Sequence, residues 1–168
     1  MSGSGKTSVG EYVADKLDKT FLDTDDIIIS NTGKDIEYIF NNYGEECFRK
    51  LEELVINTSA KKENMVISTG GGVVLNPTNI EKLKTKGIIF LLNGSIDTLY
   101  RNIIFSKSLG QRPLLKEGDL KKKIEGMYDI RKGLYLNSED YLISIDDKGI
   151  EEIGDEIINI FREVTPCS

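Results

Sequence analysis

The sequence predicts an α/β protein, a parallel sheet with helices on both faces. Three observations lead there. Short apolar runs alternate with helical patterns along the whole chain of 168 residues, the signature of βα units. One run, "GIIFLL" (87–92), is apolar throughout, as expected of a strand buried on both faces. Polar or glycine-rich stretches follow the strands at "LDTDD" and "STGGG", where ligands sit in such sheets.

Val9, Tyr12, Val13 and Leu17 recur at helical spacing directly after an opening glycine-rich loop. Phe21-Leu22 reads as a short strand ending at Asp23. Residues from Gly44 to about Ser59 read as a helix with Phe48, Leu51, Leu54 and Val55 on one face. Met65–Ile67 is a strand, and a helix is expected from Asn79 to about Lys84, after Pro77. Helices are predicted over 95–104 and 119–132, with a loop over 105–117 between them. "YLISI" (141–145) is a strand. Ile150, Ile153, Ile157, Ile160, Phe161 and Val164 make a final amphipathic helix.

Composition removes several function classes. The net charge of −6 argues against a nucleic-acid partner, which normally meets a basic face. There is no histidine, and Cys47 and Cys167 are isolated, so histidine catalysis and structural zinc are excluded. No apolar run approaches the ~18–20 residues of a membrane span, so no membrane partner is expected. The start carries no signal-peptide pattern. A reducing cytoplasm is the expected compartment.

"MSGSGKTSVG" contains the second half of the phosphate-loop pattern G-x-x-x-x-G-K-[ST]. Gly3, Ser4 and Gly5 let backbone N–H groups turn toward phosphate oxygens, and the following helix presents its positive end. Lys6 reaches the outer phosphates, and the Thr7 hydroxyl suits Mg²⁺. The pattern's first glycine would fall one place before Met1, and the strand that delivers the loop further upstream. We therefore expect the working protein to carry both, with its true start ahead of Met1. The intact mass of the naturally made protein tests this.

The other polar clusters admit two readings each. In "FLDTDD", Asp25 or Asp26 is a helix cap, or Asp23 holds Mg²⁺ through water while Asp25 faces an acceptor hydroxyl. Arg49 and Glu52 are three apart and can pair, as a surface ion pair or as part of a site. Gly70, Gly71 and Gly72 are costly in backbone entropy unless backbone must approach a ligand closely. Thr69 or Ser68 would then lie near Mg²⁺ or phosphate. Arg131 continues the stripe of Leu120, Ile124 and Met127. It either snorkels at the stripe's end or lines an anion pocket. Arg112, in "SLGQRPLLK", is a solvated charge or belongs to a lid that closes over a transferring phosphate.

Taken together, "GSGKTSVG", "FLDTDDII", "FRKLEE", "STGGGVV", "RPLL" and "IRKGLY" resemble shikimate kinase, within the nucleoside-monophosphate-kinase-like P-loop family. The matching stretches keep the family's order over nearly the whole chain. The resemblance implies a single three-layer domain over 1–168. Its parallel sheet has the order 2-3-1-4-5, with the first strand missing from this sequence. It places the acceptor-binding region at about 25–60 and the lid at about 105–117. It implies ATP and Mg²⁺ as cofactors, shikimate as substrate, a monomer, and a place in chorismate and aromatic amino-acid synthesis.

The resemblance also assigns roles. Lys6, Asp25 and Arg112 are catalytic. Gly3, Ser4, Gly5, Lys6, Thr7, Ser8, Arg101 and Arg112 bind ATP. Asp25, Arg49, Gly70, Gly71, Gly72 and Arg131 bind shikimate. Thr7 and Asp23 serve the metal, and Glu52 holds Arg49 in place. Gly133 stands where the family motif carries proline, and is expected to loosen the helix end behind Arg131. The alternatives are a related small-molecule kinase acting on gluconate or a nucleotide, or a truncated, inactive copy.

Overall fold

The computed structural model describes residues 1–106 and 119–165. Its elements alternate as predicted. They are α1 (Lys6–Lys16), β1 (Thr20–Asp23), α2 (Thr24–Thr32), α3 (Ile36–Ser59), β2 (Met65–Ser68), a 3₁₀ turn (Val73–Leu75), α4 (Pro77–Lys84), β3 (Phe90–Asn93), α5 (Ile96–Phe105), α6 (Leu120–Ser138), β4 (Tyr141–Ser144) and α7 (Ile150–Val164).

The four strands form two parallel pairs. β1 pairs with β2, setting Asp23 opposite Ser68, so both predicted polar strand ends emerge side by side. β3 pairs with β4, and Phe90 stacks on Tyr141 with ring centroids 5.5 Å apart. The pairs correspond to 2-3 and 4-5 of the expected order. Between β2 and β3, where that order places strand 1, lies a cavity of about 490 Å³. Residues of α1, α4, α6 and α7 line it together with the two strands, among them Val13, Val66, Ile80, Leu91 and Ile157.

This cavity corrects one expectation. The "GIIFLL" run is only half-buried at Ile88–Leu91, and Leu92 alone is fully buried, because the edge of β3 faces the cavity and not another strand. Only Phe90–Asn93 is extended in the sheet.

The helices differ from expectation at identifiable points. α2 is the helix that the cap reading of "FLDTDD" implies, but its cap is Asp23 and not Asp25 or Asp26, which lie in its first turn; the Asp23 carboxylate accepts from the Asp25 N–H at 3.0 Å. α3 begins eight residues earlier than predicted, and Gly44, at φ 80° and ψ 169°, breaks it into two helical pieces. Leu54 is not on the buried stripe; it is 62% exposed. The stripe runs through Phe48, Glu52, Val55, Ile56 and Ser59, and Glu52 takes an inward place that a count of apolar residues overlooks. α4 starts at Pro77, where the missing N–H costs nothing. α6 continues past 132 to Ser138, so Gly133 neither ends nor visibly loosens it. Cys47 is half-buried.

Two apolar clusters hold these elements. The larger joins α1, α3, β3, α5, α6, β4 and α7 through Val9, Ile56, Leu92, Leu99, Ile124, Ile143 and Ile157. The smaller consists of Ile28, Ile36, Ile39, Phe48 and Val55 and shares no buried residue with the first. It packs α2 against α3 and so carries the expected acceptor-binding region. No helix among the described residues is long and apolar enough to cross a membrane.

Candidate active site

The glycine-rich loop is pinned from two sides. Gly3 has φ 80°, and a Cβ there would lie 2.5 Å from the Leu99 carbonyl oxygen, so both conformation and space demand glycine. The Gly3 carbonyl accepts from Asn102 Nδ2 at 2.9 Å, tying the loop to α5. The buried Ser4 hydroxyl donates to the Met1 carbonyl at 2.9 Å, and Lys6 Nζ donates to the same carbonyl at 2.6 Å. Lys6 is thereby curled over the loop. Thr7 donates to Asp23 Oδ2 at 3.0 Å, bringing the two expected metal residues together. Ser8 is exposed on the first turn of α1. Arg101 is exposed on α5; hydrogen bonds from Thr98 and Ser95 chiefly hold the Asp146 carboxyl below its ordinary pKa, with Arg101 a lesser influence. Arg112 and most of the expected lid lie outside the described residues.

The acceptor residues gather around the glycine turn after β2. Asp23 supplies the α2 cap, which leaves Asp25 available for other work. The Thr24 hydroxyl, fully buried, accepts from the Gly70 N–H at 3.1 Å. A Cβ on Gly70 would lie 2.9 Å from Asp25 Oδ1 and 3.0 Å from Glu52 Oε1, so these two oxygens flank its α-carbon. Both are buried without a hydrogen-bond partner among the described residues. A Cβ on Gly72 would overlap the Arg49 guanidinium. Gly70 and Gly72 are therefore required by close approach, whereas a Cβ on Gly71 meets nothing nearer than 3.5 Å.

Arg49 is held on three of its nitrogens' sides. Nη1 donates to Glu52 Oε2 at 2.8 Å, and Nε and Nη2 donate to Glu45 Oε1 at 3.2 and 2.9 Å. The pair with Glu52 is a buried pair and not a surface one, because the Glu52 side chain is 1% exposed. Arg131 is half-buried and lines a small cavity with Met1, Ser2, Gly71 and Tyr135. It lies within electrostatic range of Glu52 on the opposite helix, a lesser influence there than burial and Arg49.

Burial, reinforced by Asp23, pushes the Asp25 carboxyl above its ordinary pKa, against the pull of Lys6 and Arg49. Burial likewise pushes Glu52 up, against the attraction of Arg49 and Arg131. Burial opposes the charge on Arg49, but Glu52 and Glu45 outweigh it and hold the guanidinium above its usual pKa. The result is two fixed cations facing two reluctant carboxylates, a setting that favours an incoming anion bearing hydroxyl groups.

The chain matches the family model described as shikimate kinase over residues 2–162. The chain belongs to the shikimate kinase family. A shikimate kinase of Caldanaerobacter subterraneus subsp. tengcongensis is 42% identical over 159 residues, covering 95% of this chain and 91% of the relative. One from Caldicellulosiruptor bescii is 40% identical over 158 residues, covering 94% and 90%. Among solved structures, a shikimate kinase from Acinetobacter baumannii in complex with shikimate superposes with a TM-score of 0.91 at 30% identity. That match covers 98% of this chain and 90% of the other. Membership of the shikimate kinase family makes the chain an α/β P-loop kinase that phosphorylates shikimate, in aromatic amino-acid synthesis, with ATP as the family's phosphate donor.

Sequence reasoning missed four residues of this shikimate kinase site. Glu45 is legible in principle, one helical turn before Arg49. Thr24 sits inside the D-T-D motif, between the two carboxylates that draw attention. Asn102 carries no local signal, since its partner lies 99 residues away; Tyr135 closes the "IRKGLY" stretch, but its partner lies 64 residues away and nothing local points to it.

Proposed function

We propose that the chain transfers the γ-phosphoryl group of ATP to the 3-hydroxyl of shikimate, giving ADP and shikimate 3-phosphate, through the residues of this site. The observation that carries this assignment is the convergence on Asp25. Lys6 from the loop and Arg49 from the acceptor side both act on that one carboxylate.

Arg49 and Arg131 clamp the shikimate carboxylate, for which guanidinium forks are matched. Asp25 accepts from the attacking hydroxyl, and its raised pKa makes it a stronger base than an exposed aspartate. The shikimate oxygen bonds to the γ-phosphorus as the bond to the β–γ bridging oxygen breaks. The hydroxyl proton passes to Asp25, and ADP leaves. Lys6 and the N–H groups of the 3–8 loop hold the phosphates in line, which is most of what phosphoryl transfer asks of a protein. Gly70–Gly72 let backbone meet the acceptor. Arg101 flanks adenine, and Arg112 steadies the transferring phosphoryl group from the lid at about 105–117.

Thr7 and Asp23 fit Mg²⁺. One hydroxyl and one carboxylate stand 3.0 Å apart at the start of α1, and Mg²⁺ takes few protein ligands and keeps its waters. Bound there, the ion supplies charge neutralisation at the phosphates. The same reading has the chain act as a monomer in the cytoplasm; the lack of a membrane-crossing helix among the described residues is compatible with it.

ADP release measured with and without shikimate tests the proposal. Equal rates would sink it. A panel of acceptors including gluconate and nucleoside monophosphates should give turnover with shikimate alone.

A further inference from the structure

Tyr135 lies at the meeting point of groups that the proposed mechanism uses, yet it touches neither reacting atom. It sits on α6, one turn after Arg131, so both project from the same face. Its ring is 6% exposed and belongs to the larger apolar cluster. Its hydroxyl donates to the Gly71 carbonyl at 2.6 Å, across 64 residues of sequence. Arg131 lines the same small cavity as Tyr135, and Arg131, Arg49 and Glu52 all lie within electrostatic range of its hydroxyl. Gly71 is itself packed between this hydroxyl and Met1 of the loop, each 3.5 Å from where a Cβ would stand.

We propose that Tyr135 is a positioning residue of the acceptor site, its hydroxyl locking Arg131 and the glycine turn into one arrangement. This rests on the shikimate-binding reading above. A peptide unit is planar, with C=O and N–H opposed. Holding the Gly71 carbonyl therefore fixes the Gly71–Gly72 plane, and Gly72 is the bed on which the Arg49 guanidinium lies. The same oxygen stands beside Arg131 in the small cavity, one turn along α6. One hydroxyl thus sets the relative placement of both cations that would clamp the carboxylate, and displacement by an ångström is costly to such a clamp. Burial raises the Tyr135 pKa, so the hydroxyl stays a donor at every pH where the protein would work.

Tyr135→Phe tests this, because it keeps the ring and removes only the hydroxyl. The expected result is a rise of about tenfold in KM for shikimate, the worth of one well-made hydrogen bond. KM for ATP should stay within about twofold. Equal rises in both KM values would mean a general packing role, and an unchanged KM for shikimate would mean no role; either overturns the proposal. If the phenylalanine variant fails to fold, 3,5-difluorotyrosine at position 135 takes its place. KM for shikimate should then rise with pH as that more acidic phenol ionises, while wild type stays flat; a flat profile in both overturns the proposal. Calorimetry of wild type with shikimate separates the two readings. Absence of both binding and turnover in wild type removes the shikimate reading and this proposal with it. Binding in wild type that is unchanged in Tyr135→Phe removes this proposal alone.

Discussion

The rim at the carboxyl ends of the strands and the space between β2 and β3 lie only a few residues apart, and they are built on opposite principles. At the rim, short-range geometry is dense. Arg49 has two carboxylate partners, Thr7 meets Asp23, Asp23 caps α2, and Thr24 holds Gly70. Between the strands, apolar residues that belong in the middle of a sheet stand half-buried around a cavity of about 490 Å³. The half-sheets are instead joined around that space, by the loop's bond to Asn102, by Tyr135 on Gly71, and by α1 against α7. The difference teaches that site chemistry is set locally, by caps and turns at strand ends, while stability depends on continuity across the sheet.

That contrast can be broken most sharply at Asp25. Asp25→Asn should lower kcat with shikimate by about a thousandfold, the usual worth of a general base. It should nevertheless raise the melting temperature near neutral pH. The Asp25 pKa is raised in the folded state, so the folded protein binds more protons than the unfolded one just above the ordinary carboxylate range. Stability therefore falls as pH rises through that window. The variant escapes that fall, and its advantage over wild type should grow from about pH 4 upward. A lower melting temperature for the variant at pH 7 would contradict the assignment of burial as the cause.

Arg49→Ala strikes both sides of the comparison. It should reduce kcat/KM for shikimate by about a hundredfold or more, because it removes one half of a buried charge pair. ATP affinity should stay within about twofold. It should also cost about 3 kcal/mol of stability, since Glu52 is left buried without its cation. Denaturant titration reads that loss, and collapse of ATP affinity instead would show that Arg49 serves the donor side.

The space between the strands can be tested without touching the rim. Joining an extended apolar segment of about five residues ahead of Met1, with a proline-containing segment as control, should add a parallel strand to both half-sheets. The melting temperature should rise by at least about 5 °C. KM for shikimate should move less than about twofold. A rise with the proline control as large as with the apolar segment would show that the space is not filled by a strand. The smallest effect is expected at Glu45→Gln. That carboxylate is half-exposed and its pair with Arg49 is open to water. KM for shikimate should rise only about twofold, as measured by initial rates.

Legibility followed the same division. The loop, the D-T-D turn and the glycine triplet each declare their chemistry within a few residues, and the structure brings them together. Gly133 looks like a weak point because the family motif has proline there, but α6 runs through it in open space without strain. Leu54 is misplaced by periodicity because a helical wheel counts apolar residues, and the inward position belongs to Glu52, which burial tolerates only beside Arg49 and Arg131. The first piece of α3 escapes the pattern because Gly44 interrupts it and "FNNY" dilutes it. Contacts such as Tyr135 with Gly71 join distant parts of the chain, and no local window contains them.

The small apolar cluster under α2 and α3 has a consequence for how such a protein changes over generations. Because Ile28, Ile39 and Phe48 share no buried neighbour set with Leu99 and Ile103, selection acts on two nearly separate packing problems. Substitutions confined to Ile28, Ile36, Ile39 and Phe48 leave the buried neighbours of the phosphate loop as they were, whereas Ile56, on the other side of α3, packs in the same cluster as Val9 and Val13. A lineage can therefore try new acceptors cheaply while its hold on the nucleotide stays inherited.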